Sequence, residues 1–177
     1  MQFVGTEPNT DTIPLYDEVV GYLKSSIKND EFVQNDIRYN RKTQSLAGHF
    51  AVIRKELLEE LKSKSVQVKY LEDWNRIKPG FEFCVKEAIE NPDSRRMVAY
   101  NTDNYYETFQ CFNLIQFVNT GRNEFDMYVY QRSCDVDEKL KDDFIFFANI
   151  AQEFYERTNH KITKIVTIFG NVHYEIK

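Results

Sequence analysis

The chain contains little cysteine, glycine or proline. Six glycines and four prolines among 177 residues argue against a disordered or linker-rich chain. Three cysteines cannot all be paired with one another, so we expect free thiols in a reducing compartment rather than a disulfide framework. The three histidines are scattered, and no Cys-x-x-Cys pair or Gly-rich phosphate loop is present. The sequence therefore predicts no metal site and no phosphate-loop enzyme.

Charge and hydropathy exclude further classes of protein. No run of 18 apolar residues predicts a membrane span, and the N-terminus has no basic segment followed by an apolar one, as in a signal peptide. The formal net charge of −5 gives no general attraction to nucleic acid or to an anionic membrane. We therefore expect a cytoplasmic protein whose partners include neither nucleic acid nor membrane.

The residues that are present are sufficient for a core. Hydrophobic residues make up 42% and aromatic residues 15% of the chain, and no repeat or composition shift divides it, so we expect one domain over 1–177. Apolar spacing predicts helices over 14–28, about 51–62, 81–89 after a break at Pro79-Gly80, and from about 144, with Asp142 or Asp143 as cap. Strands are predicted over 97–100, 112–118, 125–130 and 162–176. This pattern predicts an α+β fold with helices packed on a mostly C-terminal sheet.

Three short segments carry residue types suited to chemistry. Arg95 and Arg96 are adjacent guanidinium groups, which on an extended strand point to opposite faces, so both meet one phosphate only at a bend or across an interface. Arg132 and Ser133 combine an Arg fork with a hydroxyl, which suits a phosphate dianion. Considered singly, an adjacent Arg pair is more often solvated, and for Arg132 and Ser133 an ordinary polar strand end is about as frequent. A strand cysteine such as Cys111 is more often a small core residue.

Together the segments resemble one family, the thymidylate synthases and the related bacteriophage pyrimidine hydroxymethylases. The resembling segments are Asn-Pro-Asp-Ser-Arg-Arg at 91–96, Cys111 with Gln-Phe at 116–117, Tyr-Gln-Arg-Ser-Cys-Asp at 130–135, and Gly-Asn-Val-His at 170–173. Their order is that of the family, and the resemblance extends from about Arg54 to His173. It implies a compact, truncated thymidylate-synthase-like version of the α+β fold, with a mixed sheet.

The resemblance also implies a role for individual residues. Cys111 would add to carbon 6 of a pyrimidine, because a thiolate is both nucleophilic and a good leaving group. Carbon 5 would then attack 5,10-methylenetetrahydrofolate, with Glu56 organising proton transfer. Asp143 stands where the synthases carry an Asn that contacts uracil, which favours cytosine. The remaining residues implied are Arg132, Ser133, Asn113, His173 and the partner subunit's Arg95 and Arg96 for the nucleotide, and Asp135 for folate.

The implied protein is a homodimer that converts dCMP into 5-hydroxymethyl-dCMP, as in a virus that modifies its DNA inside the host cytoplasm. Departures from the family pattern include Phe112 in place of His and Asn171 in place of Asp. Two alternatives stay open. One is a nucleotide-binding homologue, a regulatory or decoy subunit without turnover, and the other is a thymidylate-synthase-type methyltransferase that acts on dUMP.

Overall fold

The computed structural model describes residue 1 and residues 3–5, 12–29, 33–36, 41–101 and 111–176. The elements in chain order are β1 (Phe3–Val4), α1 (Pro14–Asn29), β2 (Val33–Asp36), β3 (Arg41–Ile53), α2 (Lys55–Lys62), β4 (Val66–Gln67), a 3₁₀ turn (Val68–Tyr70), α3 (Leu71–Glu90), β5 (Val98–Tyr100), β6 (Phe112–Gly121), β7 (Glu124–Asp135), α4 (Leu140–Thr158) and β8 (Lys161–Glu175).

The main sheet has six strands in the order β2-β3-β8-β7-β6-β5. Its neighbours are antiparallel except β7 and β8, which are parallel and are connected through α4. The predicted α+β class and mixed sheet are confirmed. Strands β2 and β3 lie in the stretch that showed no clear hydrophobic period, because much of β3 is polar or half-exposed on both faces. Among the described residues, no helix is long and apolar enough to cross a membrane.

Helix α4 forms the centre of the core. Phe144, Phe146, Phe147 and Phe154 are all fully buried, so the helix is apolar around most of its circumference and is covered by the sheet as well as by α2 and α3. Phe154 stacks on Phe117 of β6 with ring centroids 4.3 Å apart. Each such side chain stabilises the fold by roughly 1.5–3 kcal/mol through burial. The aromatic content of the sequence is concentrated here.

The predicted helix break at Pro79-Gly80 is wrong, because α3 continues through both residues. Pro79 removes one backbone donor, but it is exposed, so water can bind the carbonyl that it leaves without an intrahelical partner. Gly80 faces β5, and a Cβ atom there would lie 2.9 Å from Cα of Ala99. Close packing of helix on strand explains this glycine.

Two predicted helix starts also differ from the structure. Strand β3 continues to Ile53, so α2 begins at Lys55 rather than near Ala51. Helix α4 begins at Leu140, and its N-cap Lys139 makes no side-chain capping bond. Asp143 therefore lies inside the first turn and is buried, so it does not cap the helix.

The sheet is interrupted in one row. Between β3 and β8, Ala47 pairs with Asn171 and His49 pairs with Phe169. Between β7 and β8, Gln131 pairs with Phe169 and Ser133 pairs with Asn171, so one residue on each strand is left out of the pairing. Gly170 is in this row, and a Cβ atom there would lie 2.8 Å from the carbonyl oxygen of Arg132. The close approach of the two backbones requires glycine at this position.

Candidate active site

A cavity of about 180 Å³ lies between the start of β6, the middle of β7, and the first turns of α3 and α4. Cys111 precedes β6 and lines this cavity, and the backbone N–H of Arg132 donates to its carbonyl oxygen over 2.6 Å. Phe112, Phe146 and Phe147 provide its aromatic surface. A half-buried thiol therefore lies in a partly open cavity next to aromatic rings, which suits a planar ligand.

Asp143 lines the same cavity and is the centre of a buried hydrogen-bond network. Its Oδ1 accepts from the Tyr70 hydroxyl over 2.5 Å, and its Oδ2 accepts from Nε2 of Gln131 over 2.8 Å and from Sγ of Cys134 over 3.6 Å. Burial raises the pKa of Asp143, and the three donors partly oppose this by favouring the carboxylate. All three neighbours donate, so the carboxyl acts as an acceptor throughout.

The three cysteines differ in accessibility. Cys84 and Cys134 are buried, and burial raises the pKa of Cys84 to about 12 and that of Cys134 well above its usual value. Cys111 is half-buried and lines the cavity. The cysteine that the resemblance selects as nucleophile is therefore the one with access to a ligand.

Ser133, His173 and Asp135 form a cluster where β7 and β8 continue beyond the interrupted row. The Ser133 hydroxyl lies 3.5 Å from Nδ1 of His173, whose Nε2 is 3.9 Å from Oδ2 of Asp135. Ser133 is two residues from Gln131, or roughly 7 Å along the strand. The structure thus brings Ser133 and His173 close to the cavity. Arg132 is the strand residue between Gln131 and Ser133, and it is exposed and does not line the cavity.

Glu56 is not brought to Cys111. Ile53 at the end of β3 lies in the same cross-strand row as Phe117 of β6, with β8 and β7 between them. Phe117 is six residues from Cys111, or roughly 20 Å along the strand, and β3 is three strand spacings away. Only Arg54 separates β3 from α2, so no linker returns the helix along the sheet. Glu56 is exposed and instead lines a groove beside Tyr22 and Phe50.

Arg95 and Arg96 are exposed in the turn between α3 and β5. The neighbouring Met97 accepts a hydrogen bond from the N–H of Phe117, which places the turn roughly 20 Å from Cys111. They therefore do not share a site with Cys111 of their own chain. Asn113 lies two residues beyond Cys111, and its buried Oδ1 has no hydrogen-bond partner among the described residues.

Sequence reasoning gave no role to several residues of the cavity, among them Tyr70, Asp73 and Gln131. Tyr70 ends a 3₁₀ turn with no periodic pattern, and Asp73 resembles an ordinary solvated residue of a first helical turn. Gln131 was visible only as part of a family motif. Lys69 and Lys139 line the same cavity, and Lys69 forms an ion pair with Asp142 over 2.9 Å.

The described residues do not fit a folate site around Asp135. The carboxyl of Asp135 is buried, and its Oδ1 accepts from the backbone N–H groups of Asp137 and Glu138, which closes the turn after β7. Asp135 does not line the cavity of Cys111. Among the residues that the structure describes, no three His, Cys, Asp or Glu side chains converge on a possible metal position.

No protein-family model matches this chain, and no curated protein matches it. A larger cavity, of about 270 Å³, lies between α2 and α4, but it contains no cysteine. The cavity of Cys111 combines a nucleophile with buried polar acceptors, and it is therefore the candidate active site.

Proposed function

We propose that this protein activates carbon 5 of a pyrimidine nucleotide by adding the Cys111 thiolate to carbon 6. The observation that supports this most is that Cys111 and Asp143, the residues to which the resemblance assigns the nucleophile and the base contact, line one cavity. Carbon 5 is a poor nucleophile until carbon 6 has been attacked, and a thiolate can both add and leave. The cavity of about 180 Å³ is smaller than the roughly 300–1,000 Å³ of common ligand pockets. It would hold the base, with sugar and phosphate outside.

The acceptors of the cavity favour cytosine over uracil. Asp143 accepts hydrogen bonds from all of its neighbours, and Oε1 of the fully buried Gln131 has no hydrogen-bond partner among the described residues. Cytosine presents an amino donor at carbon 4, whereas uracil presents a carbonyl acceptor there. We therefore propose dCMP as the substrate, with exchange of the hydrogen at carbon 5 as the reaction that Cys111 supports. The described residues around Asp135 do not fit 5,10-methylenetetrahydrofolate, because the Asp135 carboxyl is buried and accepts from the turn after β7.

The phosphate would be held beside the cavity by Arg132 and Ser133, and by Arg95 and Arg96 of the partner subunit. Support for a homodimer comes from the sheet face that the helices leave open. One cross-strand row on this face contains Phe50, Ile168, Tyr130, Leu114 and Tyr100. Except for Leu114, each of these large side chains is at least one-third exposed. A second copy packed on this row would bury it across a two-fold axis.

Tritium release tests this function. The protein is incubated with dCMP or dUMP labelled at carbon 5, with and without methylenetetrahydrofolate, and tritium in water is counted. We expect release from dCMP and none after Cys111→Ser, whereas Cys84→Ser should retain release. Release that persists in Cys111→Ser would rule out the covalent step.

A second candidate is a nucleotide-binding protein without turnover. The position of Glu56 favours it, because the carboxylate that the resemblance assigns to proton transfer lies at the other end of the sheet. This candidate predicts dCMP binding by calorimetry with no tritium release under any condition.

A further inference from the structure

The cavity of Cys111 contains a second carboxylate, besides Asp143. Asp73 lies in the first turn of α3 and its side chain is 18% exposed. We propose that Asp73 is the group that transfers protons to and from carbon 5, the role that the resemblance assigns to the distant Glu56. This inference rests on the proposed function, and it assigns proton transfer to Asp73 instead of Glu56.

The position of Asp73 is fixed relative to Cys111 by one amide. Nδ2 of the buried Asn101 donates to Oδ1 of Asp73 over 2.8 Å and to the carbonyl oxygen of Phe112 over 3.1 Å. Phe112 is the residue after Cys111, so the bridge ties the carboxylate to the strand that carries the thiol. The same Oδ1 is 3.6 Å from Nη1 of Arg76.

The other oxygen, Oδ2 of Asp73, makes no hydrogen bond to any residue that the structure describes. Asp73 lines the cavity, so this oxygen is available to a ligand or to a water molecule between them. Asp143 does not serve equally well, because Tyr70, Gln131 and Cys134 already donate to it. Of the two carboxylates, Asp73 can exchange a proton without dismantling a buried network.

The environment of Asp73 suits acid–base work. Burial raises its pKa, the hydrogen bond from Asn101 and the charge of Arg76 lower it, and Glu72 raises it, with a net increase. A proton-transfer group works best when its pKa is closer to the working pH than that of an ordinary aspartate. The other titratable groups of the described cavity lining are Lys69, Tyr70, Cys111, Lys139 and Asp143.

The proposed step balances without a further reactant. The Cys111 thiolate adds to carbon 6, and the protonated Asp73 delivers its proton to the electron-rich carbon 5. The Asp73 carboxylate then removes the other hydrogen of carbon 5, the double bond re-forms, and the thiolate leaves. Exchange of the Asp73 proton with water completes the cycle. The net result is replacement of the hydrogen at carbon 5 by one from water.

The test is tritium release from labelled dCMP, measured between about pH 5 and pH 9, for the wild type and for Asp73→Asn. Asn retains the acceptor that Asn101 needs, so the bridge to Phe112 persists. We expect release to fall by about 100-fold or more, the usual contribution of general acid–base catalysis, with dCMP affinity unchanged. The ionisation of Asp73 should disappear from the pH profile. Asp73→Ser, which also removes the carboxyl group, should show the same loss.

Glu72→Gln is the matched control, because Glu72 is the preceding residue, pairs with the same Arg76 and is largely exposed. It should keep the wild-type rate near neutral pH. Because Glu72 raises the pKa of Asp73, the ionisation of Asp73 should move slightly to lower pH but stay in the profile. A wild-type rate and pH profile in Asp73→Asn, or a comparable loss confined to Glu56→Gln, would overturn the assignment. A wild-type protein that binds dCMP and releases no tritium would instead remove the proposed function itself, and the role of Asp73 with it.

Discussion

The side-chain amide of Gln131 donates from Nε2 to Oδ2 of Asp143 over 2.8 Å, and both side chains are buried. A carboxylate cannot donate in return, so the amide is held in one orientation with Oε1 turned away from Asp143. Oε1 has no hydrogen-bond partner in the described part of the chain. The two residues therefore present acceptors whose orientation each helps to fix.

Asp143→Asn should shift the base preference from cytosine towards uracil. The new amide would donate towards the cavity or towards Gln131, whose own amide can then reverse and present its NH₂ group to the ligand. A charge-assisted hydrogen bond contributes about 1.5–3 kcal/mol, so we expect the dCMP/dUMP ratio to fall at least about tenfold. The ratio is measured both by binding and by tritium release.

Asp142→Asn is the control for this substitution. Asp142 is the neighbouring buried carboxylate, pairs with Lys69 and does not line the cavity. It should leave the base preference unchanged. An unchanged ratio in Asp143→Asn as well would eliminate the main argument for cytosine.

Asp143 should also make stability depend on pH. Burial raises its pKa above the ordinary 3.8, so the folded protein holds this proton more tightly than the unfolded chain does. The resulting stabilisation is complete below the ordinary pKa and is lost as pH rises through the raised value. The free energy of unfolding of the wild type should therefore decrease, relative to that of Asp143→Asn, as pH rises from about 4. Urea unfolding at a series of pH values measures this, and a constant difference would show that the pKa is not raised.

The sequence predicts the class of fold better than the arrangement of the site. The helical spacing of Leu15, Val19, Leu23 and Ile27 predicts α1 well, and α1 ends one residue beyond the prediction. Pro79-Gly80 misleads because an exposed proline is tolerated within α3 and Gly80 is required by packing on Ala99. Local patterns do not contain these tertiary contacts.

Among the residues that the family motifs singled out, Cys111 and Asp143 lie together in the structure, and their roles stay predictions. Cys111 and Asp143 do line one cavity, although they are far apart in the chain and nothing in their local sequence shows this. Glu56 illustrates the limit, because its position depends on how much chain separates β3 from α2. Asp73 is placed by Asn101, a partner 28 residues away, which no spacing rule indicates.

Gly80→Ala should destabilise the protein, whereas Gly21→Ala should stabilise it. A Cβ atom at Gly80 would lie 2.9 Å from the backbone of Ala99, and overpacking of this kind costs about 1–3 kcal/mol. Gly21 lies within α1 with nothing within 4 Å of a Cβ atom, so the added methyl group should stabilise by about 0.4–1 kcal/mol. Thermal or urea unfolding of the two matched variants measures the sign of the change in the free energy of unfolding for each. Equal effects would indicate that α3 does not pack closely on β5.

Only Cys111 should react with iodoacetamide in the native protein near neutral pH. Burial raises the pKa of Cys84 to about 12 and that of Cys134 well above its usual value, and both thiols are covered. Peptide mass spectrometry after a timed reaction identifies the modified residue, with urea-unfolded protein as the control in which all three react. Protection of Cys111 by dCMP would place the nucleotide in its cavity. Native modification of Cys134 at the rate of Cys111 would contradict the buried network.

In the proposed dimer each site receives residues from both subunits, so the dimer can be tested by mixing two variants that each lack one of the two parts. Arg95→Ala/Arg96→Ala leaves Cys111 intact, and Cys111→Ser leaves the arginines intact, so neither homodimer has a complete site. Random mixing at equal amounts makes half of the dimers hybrids, each with one complete site of two, so about a quarter of wild-type tritium release should return.

Tyr130→Lys, in the centre of the exposed row, should prevent this recovery and give a monomer by sedimentation. Ile89→Lys, which changes an exposed residue of α3 instead, should not. A wild-type monomer at micromolar concentration, or no recovery on mixing, would show that the arginines do not act across a two-fold interface.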